Sequence, residues 1–127
     1  MGAGLKARVR AILGADTPWG LCVGWILWSS ALVSMYVVLS LGCRISWADR
    51  DFGPVNVLTL LLALVWLAHL AVLVALVLRS WRKVPAGDGA LPENRRFLSW
   101  ATRAAHVSAT LGTLWLGFPV LALSPCT

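Results

Sequence analysis

Two histidines and two of the three cysteines are the residues best placed to do chemistry in this sequence. His69 lies near the middle of one long apolar run and His106 about one turn into another. Histidines on two different membrane helices can ligate a b-type haem, one on each face of the ring. Counting residues along the two runs puts the pair at depths that differ by roughly 5–6 Å at a helical rise. The competing reading needs no cofactor: each imidazole is neutral and hydrogen-bonded to a neighbouring helix or a partner. Cys43 ends the first apolar run and Cys126 is the penultimate residue. If both reach the same side of a membrane they can form a disulfide, provided their Cα atoms come within about 7 Å. Two soft metal ligands and two free thiols are the alternatives. Cys22, inside the first run, reads as a small buried packing residue.

Other constellations are poorer. Asp49, Arg50 and Asp51 form a dense polar cluster. Paired carboxylates can hold a cation or move a proton, but the arginine between them favours a solvated loop or a salt bridge to a partner. The sequence holds no Ser/His/Asp set in a workable register and no zinc-type cluster. With no complete catalytic motif, a non-enzymatic role is expected.

The elements that must position these residues follow from composition. Hydrophobic residues make up 59% of the 127 and charged residues only 13%, where a soluble domain carries about 25% charged. Too few polar groups remain to cover a water-facing surface. Residues 17–43, 52–78 and 104–127 contain no Asp, Glu, Lys or Arg. Each exceeds the roughly 20 residues a helix needs to cross a bilayer. A chain in hydrocarbon must satisfy its own backbone, so each run is expected to be a helix. The fold class predicted is all-α: a three-helix transmembrane bundle with a short N-terminal amphipathic segment. Its expected parts are the segment 1–16, spans over 19–43, 54–79 and 101–124, and a cytoplasmic loop over 80–100. In the first segment Leu5, Val9, Ile12 and Leu13 fall on one side of a helix, largely opposite Lys6, Arg8 and Arg10. That pattern suits a helix lying on the inner leaflet. Pro85, Gly87, Gly89 and Pro92 mark a linker between the second and third spans.

Basic residues orient the spans. Lys6, Arg8, Arg10, Arg79, Arg82, Lys83, Arg95, Arg96 and Arg103 stand on one side, and only Arg44 and Arg50 on the other. The positive-inside rule then puts the N-terminus in the cytoplasm and the C-terminus outside. Trp19, Trp81 and Trp100 mark the inner boundary and Trp47 the outer one. Cys43 and Cys126 both fall outside, which in a bacterial inner membrane faces the oxidising periplasm. The net charge of +6 reflects these topology signals and contacts with anionic headgroups, so nucleic-acid binding is not expected. Ser40-Leu41-Gly42-Cys43 lacks the leucine of a lipoprotein box, and Arg95-Arg96 is internal, unlike a twin-arginine signal.

Polar and small residues fall in stripes. The third run carries Thr102, His106, Thr110, Thr113 and Gly117, and the first carries Cys22, Ser29, Tyr36 and Cys43 at steps of seven beside Trp25. Small residues permit close helix approach, and hydroxyls can bond across the contact. Trp66 is expected on a packing or partner face with Trp25, Ser29, Tyr36, Thr110, Thr113 and Gly117. The absence of Asp and Glu from the runs counts against a proton relay.

The run Pro18-Trp19-Gly20, then Gly24-Trp25, Tyr36 and Cys43 resembles small membrane proteins found beside cytochrome c oxidase genes in proteobacteria. The resemblance covers about 30 residues of the chain. It departs where those proteins carry a histidine soon after the first tryptophan, since Ile26-Leu27-Trp28 stands here. No ligand role therefore passes to the first helix. The resemblance implies an accessory or assembly role around a haem-copper oxidase. Three functions stay open: a cofactor-free accessory subunit of a respiratory complex with a membrane-protein partner or a second copy, a small b-type cytochrome with His69 and His106 as ligands, and a small oligomeric transporter or channel.

Overall fold

A computed structural model describes residues 2–12, 17–82, 92–122 and 126. The chain is all-α apart from one tiny hairpin. Its elements are α1 (Gly2–Ile12), α2 (Pro18–Arg44), β1 (Asp51–Phe52), β2 (Val55–Asn56), α3 (Val57–Arg82) and α4 (Glu93–Ala122). Leu13 and the linker residues Pro85, Gly87 and Gly89 lie outside the described residues.

Local chemistry fixes the helix ends. Pro18 opens α2, where its missing N–H costs nothing. Beyond Arg44 the chain turns through Ser46, which adopts a left-handed φ of 57°. Trp47–Asp49 then form one 3₁₀ turn. Strands β1 and β2 pair Asp51 with Asn56 and Phe52 with Val55. The two-residue turn between them has Gly53 at φ +71° followed by Pro54, as the II′ hairpin class requires. Asn56 caps α3: the Thr59 N–H donates to its Oδ1 at 2.8 Å. Helix α3 therefore starts at Val57 and not at the expected residue 54, because Gly53-Pro54 belongs to the turn. Arg79 and Arg82 occupy the last turn of α3, and Glu93 the first turn of α4. Both placements suit the helix dipole.

The expected loop over 80–100 is shorter in the structure. Helix α3 runs to Arg82 and α4 begins at Glu93. The reason is physical: freedom from charge marks the depth of hydrocarbon, whereas a helix continues past it until a breaker such as Pro92 intervenes.

Helices α2 and α3 are long and apolar enough to cross a membrane. Helix α4, with 30 residues, packs against both of them, and they pack against each other. The contacts fix relative directions. Leu58 at the start of α3 meets Gly42 at the end of α2, so these two run antiparallel. His106 at the middle of α4 meets Gly20 near the start of α2, and Gly112 further along α4 meets Trp28 further along α2, so those two run parallel. A disulfide joins Cys43 to Cys126 beyond the far end of α4, with Cα atoms 5.6 Å apart. Helix α1 is exposed along residues 2–10, Leu5 and Val9 included.

The disulfide leaves Cys22, which is exposed, as the free thiol. Maleimide treatment of the denatured, unreduced protein should add one label, and treatment after reduction three, read as intact mass. Three labels without reduction would contradict the Cys43–Cys126 bond.

Candidate functional site

The polar side chains of the long helices form contacts between helices and within them, and these contacts are the candidate site. His106 is buried on α4. Its ring lies on α2 at two glycines: Nε2–H donates to the Gly20 carbonyl at 2.9 Å, and a Cβ on Gly24 would stand 2.8 Å from the ring's Cδ2. A carbonyl can only accept, so Nε2 carries the proton and Nδ1 is left as an acceptor. That Nδ1 is buried with no hydrogen-bond partner among the described residues, and so is the Thr102 hydroxyl oxygen. The two residues stand one turn apart on α4, hence on one face.

His69 sits at mid-height on α3. Its Nδ1–H donates to the Val65 carbonyl of its own helix at 2.8 Å, and the Ser30 hydroxyl on α2 donates to its Nε2 at 3.3 Å. Both ring nitrogens are engaged by protein atoms. The structure does not bring His69 and His106 together. One contacts α2 at Ser30 and the other at Gly20, a separation of about 15 Å along the α2 axis at 1.5 Å per residue. The expected offset of 5–6 Å is thus too small. It came from counting along each run, whereas the helices are staggered by where glycine lets them approach. A single haem cannot take both imidazoles in this arrangement, because its two axial nitrogens must flank one iron.

Trp66 and Gly117 make the α3–α4 counterpart of the His106 contact. The Trp66 indole lies against Gly117 closely enough to exclude a Cβ there. Its Nε1–H donates to the Thr113 carbonyl at 2.7 Å. Trp28 of α2 lies against Gly112 in the same manner, with its Nε1 2.8 Å from where a Cβ would be. The hydroxyls behave otherwise than expected. Thr110 donates to the His106 carbonyl at 2.7 Å, Thr113 to Ala109 at 2.9 Å and Ser108 to Ala105 at 3.0 Å. They bond back to their own helix instead of across the interface, the usual option for Ser and Thr within a helix. They form no polar chain through the protein.

The predicted packing set therefore divides. Trp66, Thr113 and Gly117 are internal, with Thr113 fully buried, and Thr110 is half-buried beside them. Trp25, Ser29 and Tyr36 are exposed on α2, Tyr36 at 68%. Trp25 touches Trp28 edge-on with ring centroids 5.7 Å apart. Asp49 and Arg50 are exposed, and among the described residues no group of three or more His, Cys, Asp or Glu comes together. Sequence reasoning missed the His106 seat on α2. Its signal is present as Gly20-x-x-x-Gly24, a small-residue spacing that lets a neighbour approach the backbone. Gly112, which seats Trp28, carries the same kind of signal in Ser108-x-x-x-Gly112.

No known protein family matches the chain, and no curated protein or solved structure matches it.

The Trp66–Gly117 contact is testable by substitution. Gly117→Val should destabilise the protein by roughly 1–3 kcal/mol through overpacking. Trp66→Phe should cost roughly 0.6–2 kcal/mol, the range for an interhelical hydrogen bond. Unfolding in mixed micelles, followed by circular dichroism, measures both, and two neutral variants would refute the contact.

Proposed function

We propose that the chain is a three-pass protein of a bacterial cytoplasmic membrane, with its N-terminus inside and its C-terminus in the periplasm. It acts there as a non-enzymatic accessory or assembly subunit of a respiratory complex. The resemblance of its first helix points to a haem-copper oxidase as that complex.

Several features support the membrane part. Only 11% of each apolar stretch in α2 and α3 is buried, so neither is the core helix of a water-soluble domain. The remaining apolar surface needs lipid or protein against it. At 1.5 Å per residue the 30 residues of α4 reach about 45 Å, more than a hydrocarbon core of about 30 Å. The charge bias orients the bundle, and a disulfide at the outer end suits an oxidising compartment. Helix α1, with Leu5 and Val9 exposed on one side, suits the inner membrane surface.

One observation carries the accessory role. His69, Trp66, Thr110 and Thr113 bond inside the chain, whereas Tyr36 and Ser29 stay open on α2 beside Trp25. A tyrosine hydroxyl well inside a span needs a polar partner. The chain itself offers none to Tyr36 among the described interactions, so a neighbouring protein helix is the natural source. The engaged nitrogens of His69 and the distance to His106 favour a protein without its own haem over a b-type cytochrome.

Purification in mild detergent tests the proposal. The wild type should carry respiratory-complex subunits with it, identified by mass spectrometry, and Trp25→Ala/Tyr36→Ala should lose at least tenfold of them while keeping the disulfide. The protein separated from them should show no Soret band. A Soret band lost in His69→Ala would support the cytochrome instead. Recovery as a self-associated species alone would overturn the accessory role.

A further inference from the structure

A groove of about 390 Å³ runs between the end of α3 and the start of α4, with Trp81, Trp100, Arg103 and Ser108 around it. Val107 and Leu111 form its lower part. The same two residues line a narrower recess of about 140 Å³, closed on the α3 side by Val74, Val77 and Leu78. Thr110 also borders that recess, but its hydroxyl is already bonded to the His106 carbonyl. The two hollows therefore form one track, charged at its mouth and apolar along its length. From Arg103 to Leu111 it descends about 12 Å at a helical rise, within the depth of one leaflet.

The mouth is cationic. The Nε of Arg103 is buried with no hydrogen-bond partner among the described residues. Arg79 and Arg82 border an adjoining recess of about 390 Å³, which shares Leu78 with the apolar track. Among the described residues none of the three arginines has an acidic partner. A guanidinium fork fits a phosphate in a bidentate manner, and indoles such as those of Trp81 and Trp100 settle at headgroup level. A free anion would leave the apolar track empty, and an apolar ligand would leave Arg103 unpaired. A molecule with a phosphate and an acyl chain satisfies both.

We propose that this groove binds one anionic diacyl phospholipid of the cytoplasmic leaflet, its phosphate on Arg103 with Arg79 nearby, and one acyl chain along Val107 and Leu111. The inference rests on the membrane reading above and gives that reading a specific lipid site. Basic pockets between membrane helices on the cytoplasmic side are where such headgroups bind.

Native mass spectrometry of the detergent-purified full chain tests it, with phosphatidylglycerol and phosphatidylcholine of identical chains as probes. The wild type should retain one phosphatidylglycerol at least tenfold more tightly than phosphatidylcholine. Arg103→Gln should abolish that preference by about tenfold, the size of one charge-assisted contact. Val107→Phe, which narrows the track and leaves the charge, should weaken both lipids. Millimolar inorganic phosphate should not displace the lipid. Equal retention of the two lipids by the wild type would overturn the site, whatever the variants do. Displacement by phosphate would overturn it too, leaving a simple anion site. Carbonate extraction of membranes separates the two claims. Release of the protein refutes the spanning reading, whereas retention in the membrane with no lipid preference refutes the groove alone.

Discussion

Three ring side chains seated on bare glycine backbone hold α4 against α2 and α3, and the remaining architecture depends on these seats. His106 lies on Gly20 and Gly24, Trp28 on Gly112 and Trp66 on Gly117. Hydrocarbon gives helices no hydrophobic reason to associate, since lipid tails are as apolar as leucine. What remains is close packing and hydrogen bonding across the gap. Glycine supplies both, because removing a Cβ lets a neighbouring ring reach the backbone carbonyls. His106 reaches the Gly20 carbonyl and Trp66 that of Thr113 in this way. A large substituent at Gly24 or Gly117 would separate His106 or Trp66 from its acceptor.

These seats set the two ends of the proposed bundle to different tasks. At the end expected outside, the Cys43–Cys126 bond ties the tail after α4 to the last turn of α2. At the other end arginines and tryptophans collect around the groove and recess at the end of α3. Between them the histidines serve as cross-braces at two heights, not as a facing pair. On the proposed reading the partner contact lies at the surface, where Trp25, Ser29 and Tyr36 are exposed on α2.

The helices were legible in the sequence because hydrocarbon imposes a simple rule: a long run without charge must be helical. The helical class follows from it, and the ends of α2 fall within a residue or so of the charge-free run. The rule is silent where charge returns. It did not reveal that α4 begins at Glu93, nor that Gly53-Pro54 forms a hairpin turn ahead of the Asn56 cap. Histidine positions were legible, but their partners were not. A partner depends on helix stagger, and stagger depends on pairings such as Gly42 with Leu58 that no periodicity marks. The hydroxyl stripe on α4 illustrates the same limit, since spacing alone does not distinguish a bond across an interface from one back to the helix's own carbonyl.

Helix α4 is the least apolar of the three long helices and the one on which the proposed bundle stands or falls. Spin labels placed singly from residue 104 to 118, with the protein in liposomes, measure its surroundings directly through collision with oxygen and with a water-soluble nickel complex. The account predicts oxygen access that repeats with the helical period, high at Leu111, Leu114 and Trp115 and low at Ala105, Ala109 and Thr113, with the nickel complex excluded throughout. Nickel access along the Leu111–Trp115 face would put α4 in water and contradict a third span packed on glycine.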